Sequence, residues 1–319
     1  MIVAGKGGVG KTTVSAALAC LAARHGLNTL IVEVEGQSGL PALFGRTAHL
    51  TYQPVVLATG GGGGAGGGEI LARTLTPDDA LVEYLEDHGM RRVSRRLVAT
   101  GTLEVIATAI PGVKDILVLG KVKQLEEAGA ADLIVVDGPA AGHAVTFLAS
   151  AQGLADAASV GPIRSQAADV IGLLNDPARC QVLLVTLPEE TPVNEAVETA
   201  FHLEDRAGVR LAPVVVNGLW PTLDLPSDPA GALAELAAEA GAGAGMSGDE
   251  VAAVAAAADF RKRRQDLQAE QVARLAEGLP LAQLPLPYLF TTELGPAEVS
   301  ALADALAAGI EALDPVRLP

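Results

Sequence analysis

Short apolar runs recur along this chain at intervals long enough to hold a helix between them. Most of the runs are continuous rather than alternating and are rich in Val, Ile and Leu, which is typical of strands buried on both faces of a parallel sheet. The runs predicted as strands are 1–4 (the end of a strand), 27–34, 132–137, 181–186, 212–216 and 279–287. This pattern predicts an α/β fold.

The segments between these runs carry helix signals. Thr76 is a candidate N-cap, Pro77 occupies the first helical position, and Gly89 can end the helix. The other predicted helices are 14–23, about 116–125, 144–180 with a break near 161–162, 189–207, 250–277 and 296–313. The block 76–129 is either a helical insertion that carries partner specificity or a set of helices that only covers the sheet. Together with about 150–180, it is our candidate for a helical subdomain inserted in a single domain of residues 1–319.

Two stretches lack a clear period. Residues 59–68 are nearly all Gly, which predicts a surface loop, and residues 221–248 are rich in Pro, Gly and Ala and are predicted to be partly irregular. A basic cluster (Arg91, Arg92, Arg95 and Arg96) is either a solvated face or a binding site, and the sequence leaves both readings open.

Composition narrows the class of protein. The chain has 319 residues and a formal net charge of −16, with 38 acidic against 22 basic residues, which argues against a broad nucleic-acid or anionic-lipid surface. It has no apolar run long enough to span a membrane and no signal-peptide pattern, so we expect a cytoplasmic protein without stable membrane insertion. Its two cysteines give no metal-ligand spacing. Because Met1 lies so close to the first glycine, either the first strand is short or the native start lies upstream.

The chemistry concentrates in a glycine loop at residues 5–13. Gly5, Gly10, Lys11 and Thr12 match the phosphate-binding pattern G-x-x-x-x-G-K-[ST], and Gly7, Gly8, Val9 and Thr13 complete the loop. The loop lies between a strand end and a helix start, where backbone N–H groups can surround a polyphosphate. Lys11 would neutralise phosphate charge and the Thr12 hydroxyl would ligate Mg²⁺. The alternative is an ordinary glycine-rich turn at a strand end.

Polar residues follow three other predicted strands. Glu33 and Glu35 end the second strand and are either site carboxylates or solvated loop acids. Asp137 ends the clearest buried strand, as a Mg²⁺-holding carboxylate would. Asn217 can offer a donor and an acceptor to an adenine edge, or it can simply form a turn.

The loop also carries a second lysine, Lys6, directly after its first glycine. This loop resembles the deviant Walker A loop of the SIMIBI-type P-loop NTPases. Four segments together resemble the arsenite-pump and tail-anchored-protein-targeting (GET-type) ATPases, and are most similar to a bacterial GET-like branch. These segments are 5–13 as the phosphate loop, 31–38 as switch I, 137–143 with 147–148 as switch II, and 215–217 as the adenine loop.

The resemblance implies a mostly parallel sheet of seven or eight strands with helices on both faces. It implies a dimeric ATPase that uses ATP and Mg²⁺ and couples them to a protein client or to a related partner subunit, as a homo- or heterodimer. Lys6 would reach across the dimer to the partner's nucleotide, and Glu35 would position the attacking water. Asn217 would read adenine.

The sequence also departs from that family. Most members have Asp where Glu35 stands, and the cysteines that bind zinc or arsenite in relatives are absent. A low-turnover ATP-binding subunit of a heteromeric pair is therefore an alternative. A Min- or Par-type partitioning ATPase is another, although the predicted C-terminal helix is acidic, the wrong sign for an anionic-lipid anchor.

Overall fold

The computed structural model describes residues 1–34, 39–59, 67–87, 89–92, 112–157, 162–240 and 247–313. Glu35, Arg95, Arg96 and most of the glycine run lie outside these residues. Within the described residues, eight strands form one sheet. They are β1 (Ile2–Gly5), β2 (Thr29–Val34), β3 (Val55–Thr59), β4 (Glu69–Leu75), β5 (Leu133–Ala140), β6 (Val182–Thr186), β7 (Val214–Leu219) and β8 (Gln283–Pro287).

The strand order is β3-β4-β2-β5-β1-β6-β7-β8. Only the edge pair β3 and β4 is antiparallel, and the six other pairs are parallel. β1 lies between β5 and β6, near the centre of the sheet. The strands from β2 to β5 lie on one side of it, and those from β6 to β8 lie on the other. The carboxyl ends of β1, β2 and β5 therefore meet at one crevice, where open α/β sheets bind their ligands.

Helices connect the strands. They are α1 (Lys11–Arg24), α2 (Leu40–Leu43), α3 (Pro77–Asp87), α4 (Val113–Glu127), α5 (Ala141–Ala157), α6 (Pro162–Leu174), α7 (Glu190–His202), α8 (Pro229–Ala240), α9 (Gly248–Gly278) and α10 (Pro296–Glu311). A π-helical turn, Leu203–Ala207, extends α7. No helix in these ranges is long and apolar enough to cross a bilayer.

Apolar side chains from both faces of the sheet are buried under these helices. Ile2 and Ala4 of β1 belong to the core that α4, α5, α6 and α7 cover. Val3, which points to the opposite face, packs with residues of α1 and α10. The alternation explains why a short continuous apolar run can form a central strand. The predicted α/β architecture, with a mostly parallel sheet between two helical layers, is confirmed.

The structure also adds elements that the apolar pattern did not predict. β4 was missed because polar residues such as Glu69 and Arg73 interrupt its apolar run. β3 is a short apolar run that the sequence analysis did not assign to a strand. The helix α8 lies within the stretch predicted to be partly irregular. The helical stretch 144–180 is indeed divided, into α5 and α6. Thr76 caps α3 as predicted, since its hydroxyl accepts a hydrogen bond of 3.2 Å from the Asp79 N–H.

Candidate nucleotide-binding site

The glycine loop joins the end of β1 to the start of α1. Gly8 and Gly10 have φ angles of 85° and 94°, in the left-handed region that glycine adopts most easily. Gly10 is the N-cap residue of α1, and no side chain caps the helix there. The first N–H groups of α1 are thus left for another acceptor, which is the arrangement that binds phosphate at a helix N-terminus.

Lys11 opens this helix, and its amine folds back over the loop. Its Nζ donates a hydrogen bond of 3.3 Å to the Lys6 carbonyl oxygen. Burial lowers the pKa of Lys11, while the charge of Asp137 acts in the opposite direction. A partly desolvated cation held across the loop is suited to pair with phosphate oxygens.

Thr12 and Asp137 meet at the end of the loop. The Thr12 hydroxyl donates to Asp137 Oδ2 at 2.6 Å, and the Ser15 hydroxyl lies 3.4 Å from Oδ1. Burial raises the pKa of Asp137, and the hydrogen bond from Thr12 and the charge of Lys11 partly offset that effect. Thr12 on α1 and Asp137 on β5, both assigned to Mg²⁺ from the sequence, thus lie in direct contact.

These groups fit a magnesium ion. A hydroxyl and a carboxylate are hard oxygen ligands, and Mg²⁺ takes few ligands from protein while keeping water and phosphate oxygens. Among the described residues, no group of three or more His, Cys, Asp or Glu could hold a metal by itself. A magnesium ion bound by Thr12 and Asp137 would therefore need the nucleotide and water to complete its shell.

Glu33 is a carboxylate whose place in the site the sequence left open. It is buried, with 4% of its surface exposed, and it lies directly across from Asp137 in the parallel β2–β5 pair. The Thr74 hydroxyl donates to its Oε2 at 2.8 Å. Its charge contributes to the raised pKa of Asp137, so the two acids face the same region. Aligning the predicted strands 27–34 and 132–137 in register would have placed Glu33 opposite Asp137. Glu35, the other candidate acid of the second strand, lies outside the described residues.

Asn217 contacts the phosphate loop from the end of β7. Its Nδ2 donates to the Val9 carbonyl oxygen at 2.8 Å. A Cβ added to Gly10 would lie only 2.4 Å from that nitrogen. The amide donor that the sequence assigned to adenine is thus engaged with the loop, and Asn217 acts in this structure as a brace for Val9 and Gly10.

Lys6 points away from its own loop. Its Nζ lies 2.7 Å from Glu195 Oε1, on α7, and both side chains are partly exposed. No local pattern in the sequence indicates this partner, because the two residues are 189 positions apart. Lys6 is therefore held in this chain by an ion pair rather than by solvent alone.

A glycine loop between a central parallel strand and a helix, with a Thr–Asp pair at its mouth, defines a P-loop nucleotide-binding protein. The family described as "CobQ/CobB/MinD/ParA nucleotide binding domain" matches residues 1–298, and the chain belongs to that family.

Similar proteins are named ATPases. The ATPase BagA of Mycobacterium tuberculosis is 33% identical over 234 residues, covering 71% of this chain and 67% of the relative. An arsenical pump-driving ATPase of Escherichia coli is 26% identical over 249 residues, covering 70% of this chain but 40% of the relative. The predicted resemblance to arsenite-pump-type ATPases is confirmed. The chain spans less than half of that pump ATPase.

Proposed function

We propose that this protein is a Mg²⁺-dependent ATPase that works as a dimer and couples its nucleotide state to a protein partner. The observation that carries the proposal is the convergence of Lys11, Thr12 and Asp137 on the glycine loop. The names of the relatives support hydrolysis.

In this proposal the loop binds the phosphates of ATP through its N–H groups, from Gly5 to Thr13, and Lys11 neutralises their charge. Thr12 and Asp137 hold Mg²⁺, which would supply charge stabilisation to the phosphates when bound. Glu35 orients the attacking water, a role that rests on the family resemblance. Asn217 holds the loop through the hydrogen bond from its amide nitrogen to Val9. Its side-chain carbonyl oxygen can accept a hydrogen bond from adenine.

Lys6 has its function in the dimer. Its own amine is occupied by Glu195, and Lys11 already lies over the loop. A lysine released from Glu195 could instead reach nucleotide presented by a second subunit. A cation placed on the developing charge of phosphoryl transfer can change the rate by orders of magnitude.

ATP binding and phosphate release by wild type, Lys11→Ala and Asp137→Asn test the assignment of the site. We expect Lys11→Ala to lose most ATP affinity, because the phosphate charge is no longer balanced. Asp137→Asn should bind ATP without its normal dependence on Mg²⁺. Unchanged ATP affinity in Lys11→Ala would show that the loop is not the nucleotide site.

The Lys6–Glu195 pair favours one second candidate, an ATP-binding subunit with little turnover of its own. In a single chain the pair keeps the second lysine away from the phosphates. Phosphate release measured from about 0.1 to 100 µM protein separates the two readings. Robust turnover that rises with protein concentration supports the dimeric enzyme, and turnover that stays near background throughout supports the low-turnover subunit.

A further inference from the structure

The aromatic side chains of this chain are few, and they are unevenly placed. Of nine aromatic residues, four lie together at the carboxyl ends of β7 and β8 and on the facing helix α9. They are Trp220, Phe260, Tyr288 and Phe290, and we call them, with Arg261 and Arg264, the Trp220 cluster. Ring centroids within it are 4.9 to 6.1 Å apart, in tilted or edge-on contacts.

Two guanidinium groups complete this surface. Arg261 stacks over the Trp220 ring at 4.5 Å and donates to the Pro221 carbonyl oxygen. Arg264 lies 5.8 Å from the same ring and forms an ion pair with Glu189 at 2.7 Å. These contacts hold Trp220 and the two arginines in place without covering the outer rings.

The outer rings remain in water. Phe260 is 62% exposed and Phe290 67% exposed, among the most exposed large apolar side chains of the described residues. Exposed apolar patches of this kind mark interaction sites, and Trp, Tyr, Phe and Arg are the residues enriched at the centres of protein interfaces. The cluster has the composition of an interface centre.

We propose that the Trp220 cluster is the surface on which a second copy of this chain docks when ATP is bound. The inference rests on the dimer in the proposed function and names its contact surface. A twofold interface brings a patch against itself, so the patch must be self-complementary. This one offers aromatic rings together with the guanidinium groups of Arg261 and Arg264, which lie over the Trp220 ring. The Arg263 side chain beside them is 79% exposed.

Charge favours the same surface. Two copies of a chain with net charge −16 repel each other over most of their area. In and beside the cluster, the four cations of residues 261–264 and three carboxylates leave one positive charge. Those carboxylates are Asp259, Asp266 and Glu189. The net charge of this patch is therefore small, so two copies of it repel each other less than two strongly acidic surfaces would.

The cluster is also connected to the nucleotide edge. Arg264 pairs with Glu189, the N-cap residue of α7, and the first half of that helix carries Glu195, the partner of Lys6. Tyr288 lies against Gly218, directly after Asn217, since a Cβ on Gly218 would be 3.8 Å from the Tyr288 ring. A copy docked on the cluster would therefore lie beside the edge from which Lys6 must reach a second nucleotide.

The test measures mass in solution by sedimentation, with a non-hydrolysable ATP analogue and Mg²⁺, across protein concentrations up to about 100 µM. The variant is Phe260→Ser with Phe290→Ser, two exposed positions whose change leaves the core intact. The matched control is Phe201→Ser, which is 57% exposed. Phe201 lies twelve residues beyond Glu189 along α7, about 18 Å toward the opposite edge of the sheet.

We expect the double variant to weaken dimerisation at least about tenfold while the control dimerises as wild type does. Trp220 is the single tryptophan, so its quenching by acrylamide gives an independent reading. Dimerisation should protect it in wild type and in the control, and not in the double variant. A double variant that dimerises normally overturns the surface but leaves the dimeric ATPase standing. A wild type that hydrolyses ATP and yet stays monomeric at every concentration overturns the second copy as the occupant.

Discussion

At the scale of single residues, the glycine loop depends on one close contact. Gly10 combines a φ of 94° with an Asn217 amide nitrogen that occupies the space a Cβ would need. Asn217 in turn holds the loop through the Val9 carbonyl. The position thus excludes a side chain for two separate reasons, backbone conformation and space.

Gly10→Ala is expected to abolish measurable ATP binding, because the new methyl group displaces Asn217 and the helix N-terminus moves. Adding Asn217→Gly should restore part of the affinity by removing the clash. The left-handed conformation still costs about 1–2 kcal/mol, so recovery stays at least several-fold short of wild type. Titration of a fluorescent ATP analogue measures all three proteins.

Gly129→Ala is the matched control for this experiment. Gly129 also has a positive φ, of 61°, but nothing lies within 4 Å of an added Cβ. It should lower stability without changing ATP affinity. Equal losses of affinity in Gly10→Ala and Gly129→Ala would point to general unfolding instead of a specific contact.

Lys6 gives a second prediction at this scale. Exposed ion pairs contribute roughly 0–1 kcal/mol, so the Glu195 contact is weak enough to break when a better partner arrives. Glu195→Gln should leave ATP affinity unchanged and raise turnover at low protein concentration by up to about fivefold. Lys6→Ala should also bind ATP but lose most turnover, and Lys6→Ala with Glu195→Gln should be as slow as Lys6→Ala alone.

Glu198→Gln is the control for Glu195→Gln, since Glu198 lies on the same helix and pairs only with His202 among the contacts described. Phosphate release at several protein concentrations compares these variants. A fully active Lys6→Ala protein that remains monomeric would remove the role of Lys6 across a dimer.

Among the elements of the fold, apolar runs predicted six of the eight described strands, all except the edge pair β3 and β4. β4 was not predicted as a strand, because Arg73 and Thr74 interrupt its apolar sequence. Their partners explain why they are tolerated there: Thr74 donates to Glu33, and the Arg73 guanidinium stacks over the Tyr52 ring at 4.4 Å. Such partners come from distant parts of the chain, so local pattern could not reveal them. For the same reason the sequence predicted the loop residues but not Glu195. Glu33 was a candidate site acid, and the register of β2 with β5 places it beside Asp137.

The polar contacts around Glu83 join α3 and α4 to the sheet. Lys121 of α4 lies 2.7 Å from Glu83 of α3, and the Tyr52 hydroxyl donates to the same carboxylate. Burial alone would raise the pKa of Glu83, but these two hydrogen bonds and the charges of Lys121 and Arg73 hold it below its usual value. These contacts link α3 to α4 and to the segment that precedes β3.

A depressed carboxyl pKa stabilises the folded state above the unfolded pKa, about 4.3, and that contribution is lost as the pH falls through the folded value. Glu83→Gln should therefore lower the free energy of unfolding at pH 7 by about 1–3 kcal/mol, with the difference from wild type shrinking below pH 4. Glu86→Gln, an exposed change on the same helix, is the control. Urea unfolding at pH 7 and below pH 4 measures the free energy of unfolding of wild type and both variants. Equal effects of Glu83→Gln and Glu86→Gln would show that the contacts of Glu83 contribute nothing specific.

At the scale of the whole molecule, the site is built at some expense to the fold. Asp137 and Glu33 are buried side by side beneath the first turn of α1, and burial of Asp137 raises its pKa. A carboxyl with a raised pKa favours folding less when it is ionised than when it is protonated, so stability declines as the pH rises through the folded pKa. In our proposal, bound Mg²⁺ and nucleotide offset that effect.

Asp137→Asn should separate these two contributions. Without nucleotide, the variant should be as stable as wild type or more so, because it removes a buried charge while Asn can still accept the Thr12 hydrogen bond. With ATP and Mg²⁺ at about 100 times the dissociation constant, wild type should gain about 2.7 kcal/mol. Most of the Mg²⁺-dependent part of that gain should be absent from Asp137→Asn.

Asp304→Asn, which changes an exposed carboxylate on α10 paired with Arg24, should keep the full gain. Unfolding by urea with and without ATP, each in Mg²⁺ and in EDTA, measures both effects. If Asp137→Asn gained as much from Mg²⁺ and ATP as wild type does, Asp137 would not be a magnesium ligand, and its burial beside Glu33 would need another cause.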